Sequence, residues 1–198
     1  MITKWKRENS RLLLEMVDID RLVPKTSPLR RIDAAVDWEK IYEIAEPFYA
    51  QRSGRPATDP AVLIRLVLLS RWQRQKSASK TLRLAGDSIS ARWFLGYPLS
   101  EKLPSRAAVA SALSDRFDKK TFSAMLAEAI RQVYLAGAMT KTALGLPAGK
   151  RFRGKTADPE ALREAAGTAA DAIVRSLKRE FPSREAGKEK SALKRRKS

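Results

Sequence analysis

Apolar positions recur along this chain at helical spacing and never alternate over a useful length, which predicts an all-α protein. Pro28 opens a short helix to about Val36. Asp37 reads as the N-cap of a second, with Trp38, Ile41, Tyr42 and Ile44-Ala45 as its apolar stripe and Pro47 ending or kinking it. Asp59-Pro60 reads as the cap and first residue of a third. There Val62, Leu63, Ile64, Leu66, Val67, Leu68 and Leu69 leave almost no polar face, so this helix is expected at the buried centre, with Trp72 continuing it. Ser77 or Ser79 caps a helix ending at Gly86, and Ser88 caps another carrying Ala91 to Leu95 and closing at Gly96. After a loop from Tyr97 to Pro104, Ser105 caps a helix whose Val109, Leu113 and Phe117 repeat every four residues and face the core. Asp118 caps the clearest amphipathic helix, with Phe122, Met125, Leu126, Ala129, Ile130, Val133 and Ala136 on one face and Gly137 closing it. Asp158-Pro159-Glu160 starts a last helix that aligns Leu162, Ala166, Ala169, Ile173, Leu177 and Phe181, weakened by ~1 kcal/mol at Gly167 relative to Ala.

These elements divide the chain into a compact multi-helix domain over 1–137, a linker over 138–157, a single amphipathic helix over 158–181 and a disordered basic tail over 182–198. The first 27 residues look irregular and extended. At 198 residues and 43% hydrophobic, the chain can bury one real core. It has no cysteine and no histidine, which excludes disulfides, thiol nucleophiles, thiolate zinc sites and the commonest general base. The longest apolar stretch, Ala61 to Ser70, is interrupted by Arg65, and the run Leu12 to Leu14 is too short for a signal-peptide core. A cytoplasmic, nucleoid-associated protein is therefore expected. The net charge is +18 and unevenly spread. Residues 1–59 hold 11 basic and 10 acidic side chains, residues 60–116 hold 10 and 3, and residues 117–198 hold 19 and 9. That excess points to a polyanion partner.

Several stretches, in order, are familiar: Leu22-Val23-Pro24, Pro28 to Asp33, Val36-Asp37-Trp38, Ile41-Tyr42, Pro47-Phe48-Tyr49, Gly54-Arg55-Pro56 and Asp59-Pro60. The apolar helix Val62 to Leu69 follows, then Ala91 to Gly96, Leu103-Pro104-Ser105 and Arg116-Phe117. Over roughly 18–137 the chain resembles the N-terminal domain of insertion-sequence transposases of the InsH-like, DDE type. The resemblance implies a helical domain with helix-turn-helix character that binds the inverted repeats at the ends of a mobile element. Two places where such proteins often carry His read Thr26-Ser27 and Ser105-Arg106 here.

The family's catalytic domain should follow the helix that ends near Gly137. Its chemistry needs three carboxylates holding two Mg²⁺ ions about 3.5–4 Å apart. The corresponding stretch, Lys150 to Gly154, has no carboxylate, and Asp158 reads as a helix cap. The resemblance thus implies a truncated or frame-shifted transposase that binds DNA without cutting it. No catalytic or metal-binding residue is assigned, no cofactor is expected, and Mg²⁺ would serve only the missing domain.

For binding, the candidate helix-turn-helix spans about Ser79 to Arg116. Lys80, Arg83, Arg92, Lys102, Arg106 and Arg116 can neutralise phosphates. The Ser105-capped helix from Arg106 to Arg116 is the candidate for the major groove, presenting Ala107, Ala108, Ser111 and Ser114, with Asp115 opposing phosphate. The plain alternative is a packing helix. Arg74 and Lys76, beside Arg71, either flank the DNA or form the solvated end of the central helix. Gly54-Arg55-Pro56 reads first as a turn and second as a placement of Arg55 on the minor groove. Trp72 and Trp93 read as core residues before base-stacking ones. The expected partner is double-stranded DNA, with a second copy or a full-length transposase as protein partner and no membrane. The alternative is a non-specific nucleic-acid-binding or oligomerising, regulatory remnant.

Overall fold

A computed structural model describes residues 16, 18–49, 58–147 and 158–182, and all its regular structure is helical. In chain order the helices are α1 (Ile19–Leu22), α2 (Pro28–Ala35), α3 (Trp38–Tyr49), α4 (Pro60–Trp72), α5 (Ala78–Gly86) and α6 (Ile89–Leu95). They continue with α7 (Arg106–Ser111), extended by a π-helical segment Ala112–Arg116, then α8 (Lys119–Leu135), α9 (Lys141–Leu144) and α10 (Pro159–Glu180). None of the described helices is long and apolar enough to cross a membrane.

The architecture follows from α4. Ten of its 13 residues are buried, from Pro60 to Ser70 with only Arg65 left out. A helix apolar on every side needs neighbours on every side. α3, α5, α6, α8 and α9 all pack on it. Its start is local chemistry: the Asp59 carboxylate accepts from Ala61 N–H at 2.8 Å, and Pro60 occupies the first turn, where a missing N–H costs nothing.

The other caps also follow the sequence. Ser88, Ser105, Asp118 and Asp158 each accept a backbone N–H two or three residues ahead. Gly96 (φ +81°) and Gly137 (φ +63°) close α6 and α8 in the left-handed region. Pro47 does not end α3, which runs on to Tyr49. α5 ends at Gly86 as expected, with Asp87 as its C-cap. Ala136, expected on the buried face of α8, is exposed: the helix ends at Leu135 and its buried face stops at Val133.

Within the stretch read as a linker, Thr140 caps the one-turn helix α9, and Met139, Leu144 and Leu146 are buried. Residues 148–157 lie outside the described residues, as does the tail from 183 onward. α10 packs along α8 and reaches α5. Its buried face includes Leu162, Val174 and Leu177, and Phe181 follows at 2% exposure. Each of these four side chains is worth about 1.5–3 kcal/mol on burial, so together they rival the net stability of an ordinary domain.

A polar network ties α3 to α8. Gln132 Oε1 accepts from Asp37 N–H at 2.6 Å. Glu128 accepts from Arg131 Nε at 2.9 Å, Arg131 Nη2 at 2.6 Å and Gln132 Nε2 at 2.8 Å, with Lys40 Nζ at 3.4 Å. The Arg131 bonds, outweighing burial and helped by Gln132 and the Lys40 charge, hold the Glu128 carboxyl at about 2. A depressed carboxyl contributes stability that is present above its unfolded value and lost as pH falls toward its folded one. Glu128→Gln should therefore cost about 1–2 kcal/mol at pH 7 and flatten the stability–pH slope between about 4.5 and 2, read by urea melts across that window.

Candidate nucleic-acid interface

α5 and α6 are joined by the two residues Asp87-Ser88, and they pack on each other and on α4. The Tyr97–Pro104 loop then returns toward α5. Between them lies a cleft of about 580 Å³ bordered by Ser79, Arg83, Glu101, Lys102 and Arg106 among others. Glu101 is its one acidic side chain. Ser79 Oγ is buried there.

The expected binding residues separate into two groups. Arg74, Lys76, Lys80, Arg83 and Lys102 are exposed, and none of their side chains has a hydrogen-bonding or ion-pair partner among the described residues. Lys80 and Arg83 lie three apart on α5 and so share a face. Arg83, from α5, and Lys102, from the loop, both line the cleft.

The second group is engaged within the molecule. Arg92 is half-buried, and its Nη2 donates to the carbonyls of Pro98 (2.7 Å), Leu99 (3.3 Å) and Glu101. It shapes the loop rather than facing solvent. Arg106 Nη2 donates to Glu180 O at 2.8 Å, and its guanidinium lies 5.7 Å from the centre of the Phe181 ring. Ser105 Oγ is the α7 cap, accepting from Ala108 N–H at 3.1 Å. Ser114 Oγ donates to Ala110 O at 2.8 Å, and Ser111 is half-buried. Val109, Leu113 and Phe117 are buried as their spacing predicts. Arg55 and the side chain of Arg116 lie outside the described residues.

The tryptophans divide as well. Trp93 is half-buried: its Nε1 donates to Asp20 at 2.8 Å, and Arg30 lies 4.6 Å above its ring. The Arg30 bond first, then the Trp93 bond, lowers the Asp20 pKa. Trp72 is 39% exposed at the end of α4, so it is not a core residue.

Of the two serines offered as the cap of α5, Ser77 is the one used, but the sequence did not reveal its partner in that task. Ser77 Oγ accepts from Lys80 N–H at 3.1 Å, and the two N–H groups before it are taken by a carboxylate about a hundred residues away. Glu180 accepts from Ala78 N–H at 3.0 Å, Ser79 N–H at 2.8 Å and Ser77 Oγ at 2.6 Å. Burial opposes its ionisation, but those bonds outweigh burial and lower the Glu180 pKa. Among the described residues no group of three or more acidic side chains could hold a metal ion.

The family model of the transposase domain (DUF772) matches residues 17–125. The chain belongs to that transposase-domain family. No curated protein and no solved structure matches it. The span matched by the transposase-domain model runs from the start of α1 into the first half of α8, and it contains every residue that lines the cleft.

One backbone feature stands at the edge of this surface. Arg74 is the only non-glycine among the described residues with positive φ, at +54°. It ends α4 where Gln75 N–H donates back to Ser70 O at 2.8 Å. A side chain in that conformation costs roughly 1 kcal/mol, a cost glycine avoids. Arg74→Gly should raise thermal stability slightly, by up to about 1 kcal/mol, while removing an exposed cation. A calorimetric melt of the variant checks the sign.

Proposed function

We propose that this transposase-family domain binds double-stranded DNA through the α5 face and the adjoining cleft, and that its cognate site is the inverted repeat at a mobile-element end. The observation that carries the reading is the cleft itself. Arg83 and Lys102 both line it, neither in an ion pair among the described residues, and Lys80 extends the same face of α5. Uncompensated cations on a concave surface match a phosphate backbone, whose neutralisation releases counterions and drives association.

In this reading α5, the Asp87-Ser88 turn and α6 supply the helix-turn-helix character, and α7 presents Ser105 and Arg106 beside it. Arg92 belongs to the scaffold. Arg74 and Lys76 flank the path. The InsH-like, DDE-type relationship fits the family and the order of the sequence stretches. Strand transfer is not assigned to this chain; it needs a two-metal carboxylate site contributed from elsewhere. The DNA-bound protein would lie on the nucleoid, and a full-length transposase or a second copy would be its protein partner.

Fluorescence anisotropy on an inverted-repeat duplex and its scrambled counterpart, across a salt series, tests the reading. Arg83→Ala and Lys102→Ala should each weaken binding and each reduce the slope of log K against log salt by about 0.9. A preference for the repeat that persists near 0.2 M salt supports element-end recognition. Equal binding to both duplexes leaves only non-specific polyanion binding. Unchanged slopes in both variants would remove the cleft from the interface.

A further inference from the structure

We infer that Glu180 is a positioning residue for the basic cleft: α10, which lies outside the span shared with the transposase-domain family, holds the N-termini of α5 and α7 in their working arrangement. The inference rests on the DNA-binding reading of the cleft. Its warrant is the set of contacts at the end of α10. The Glu180 carboxylate takes the free N–H groups of Ala78 and Ser79 and the Ser77 hydroxyl, all within 3.0 Å. The carbonyl of the same residue accepts from Arg106 at the start of α7, and the Phe181 ring lies under that guanidinium. One residue therefore touches the first turns of two of the helices that border the cleft.

The contact is a strut rather than a latch. Phe181 and Leu177 are buried, and the face of α10 behind them is buried along α8. Release of Glu180 by movement of α10 would expose that whole face. A carboxylate held there by packing can orient α5, but it cannot swing aside to admit a phosphate.

The strut and simple electrostatics predict opposite signs. Glu180 carries a negative charge beside a surface proposed to bind a polyanion. On charge alone its removal tightens binding. As a positioning group its removal weakens binding, because the first turn of α5 keeps the Ser77 cap but loses the acceptor of its two preceding N–H groups, and Lys80 and Arg83 lose their fixed direction.

The test compares Glu180→Ala and Glu180→Gln in the full chain, on one fluorescein-labelled duplex of about 25 base pairs, together with amide hydrogen exchange at Ala78 and Ser79. Glu180→Ala should bind about fivefold more weakly, with an unchanged salt slope and lost protection at both amides. Glu180→Gln removes the same charge but keeps an acceptor, and it should bind at least as tightly as the parent. Tighter binding by Glu180→Ala, or equal weakening in both variants, overturns the inference. So does full amide protection in Glu180→Ala. A parent chain that binds no duplex sinks the DNA-binding reading instead, while amide protection still reports separately whether Glu180 caps α5.

Discussion

Everything in this fold is arranged around a helix with no polar side. α4 is apolar around nearly its whole circumference, so it is stable only when other helices coat it. That requirement brings together its sequence neighbours α3, α5 and α6 and the more distant α8 and α9. It also decides the fate of the two cations α4 carries. Arg65 pairs with Asp33 at 3.0 Å and lies 4.1 Å over the Trp38 ring. Arg71 donates from Nε to Ala143 O at 2.7 Å, which fastens the short helix α9 to the centre. Charges near a buried helix must be partnered, and here the partners are the connections between layers.

The same logic divides the basic residues into two populations. Arg30, Arg31, Arg65, Arg71, Arg92, Arg106 and Arg131 all point guanidinium groups at backbone carbonyls or carboxylates of the chain itself. A planar fork with five donors suits that task, since one side chain can satisfy several carbonyls at a loop or helix end. The exposed Lys76, Lys80 and Lys102, with Arg74 and Arg83, remain for solvent or a ligand. The net charge of +18 therefore overstates the surface offered to a polyanion, and the concentration of free cations around α5 matters more than the total.

What the sequence made legible was local. Asp59, Ser88, Ser105, Asp118 and Asp158 are caps because a short acceptor beside a helix start finds its N–H within three residues, whatever the rest of the chain does. The buried faces of α7 and α8 followed from periodicity for the same reason. The candidate site was only half legible. Lys80, Arg83 and Lys102 stand exposed and unpartnered as their placement suggested, but Arg92 and Arg106 are engaged within the chain, because their acceptors are carbonyls brought in by a loop and by the far end of α10. No spacing rule reveals a carbonyl partner. Glu180 was invisible for a stronger reason: its donors are about a hundred residues upstream, and nothing in its own neighbourhood marks it as a cap.

The unit that folds is consequently larger than the unit that the family likeness marks out. The matched span stops at residue 125, inside α8, whose buried face continues through Leu126, Ala129, Ile130 and Val133. A core cut there would lose half of one helix and the whole face that α10 covers. Burial, not family likeness, sets the physical boundary, and by that measure α9 and α10 belong to the same body as α4. The first turn of α5, where the proposed interface begins, then depends on the last residue of the last helix. Orientation at the surface is inherited from packing at the opposite end of the chain.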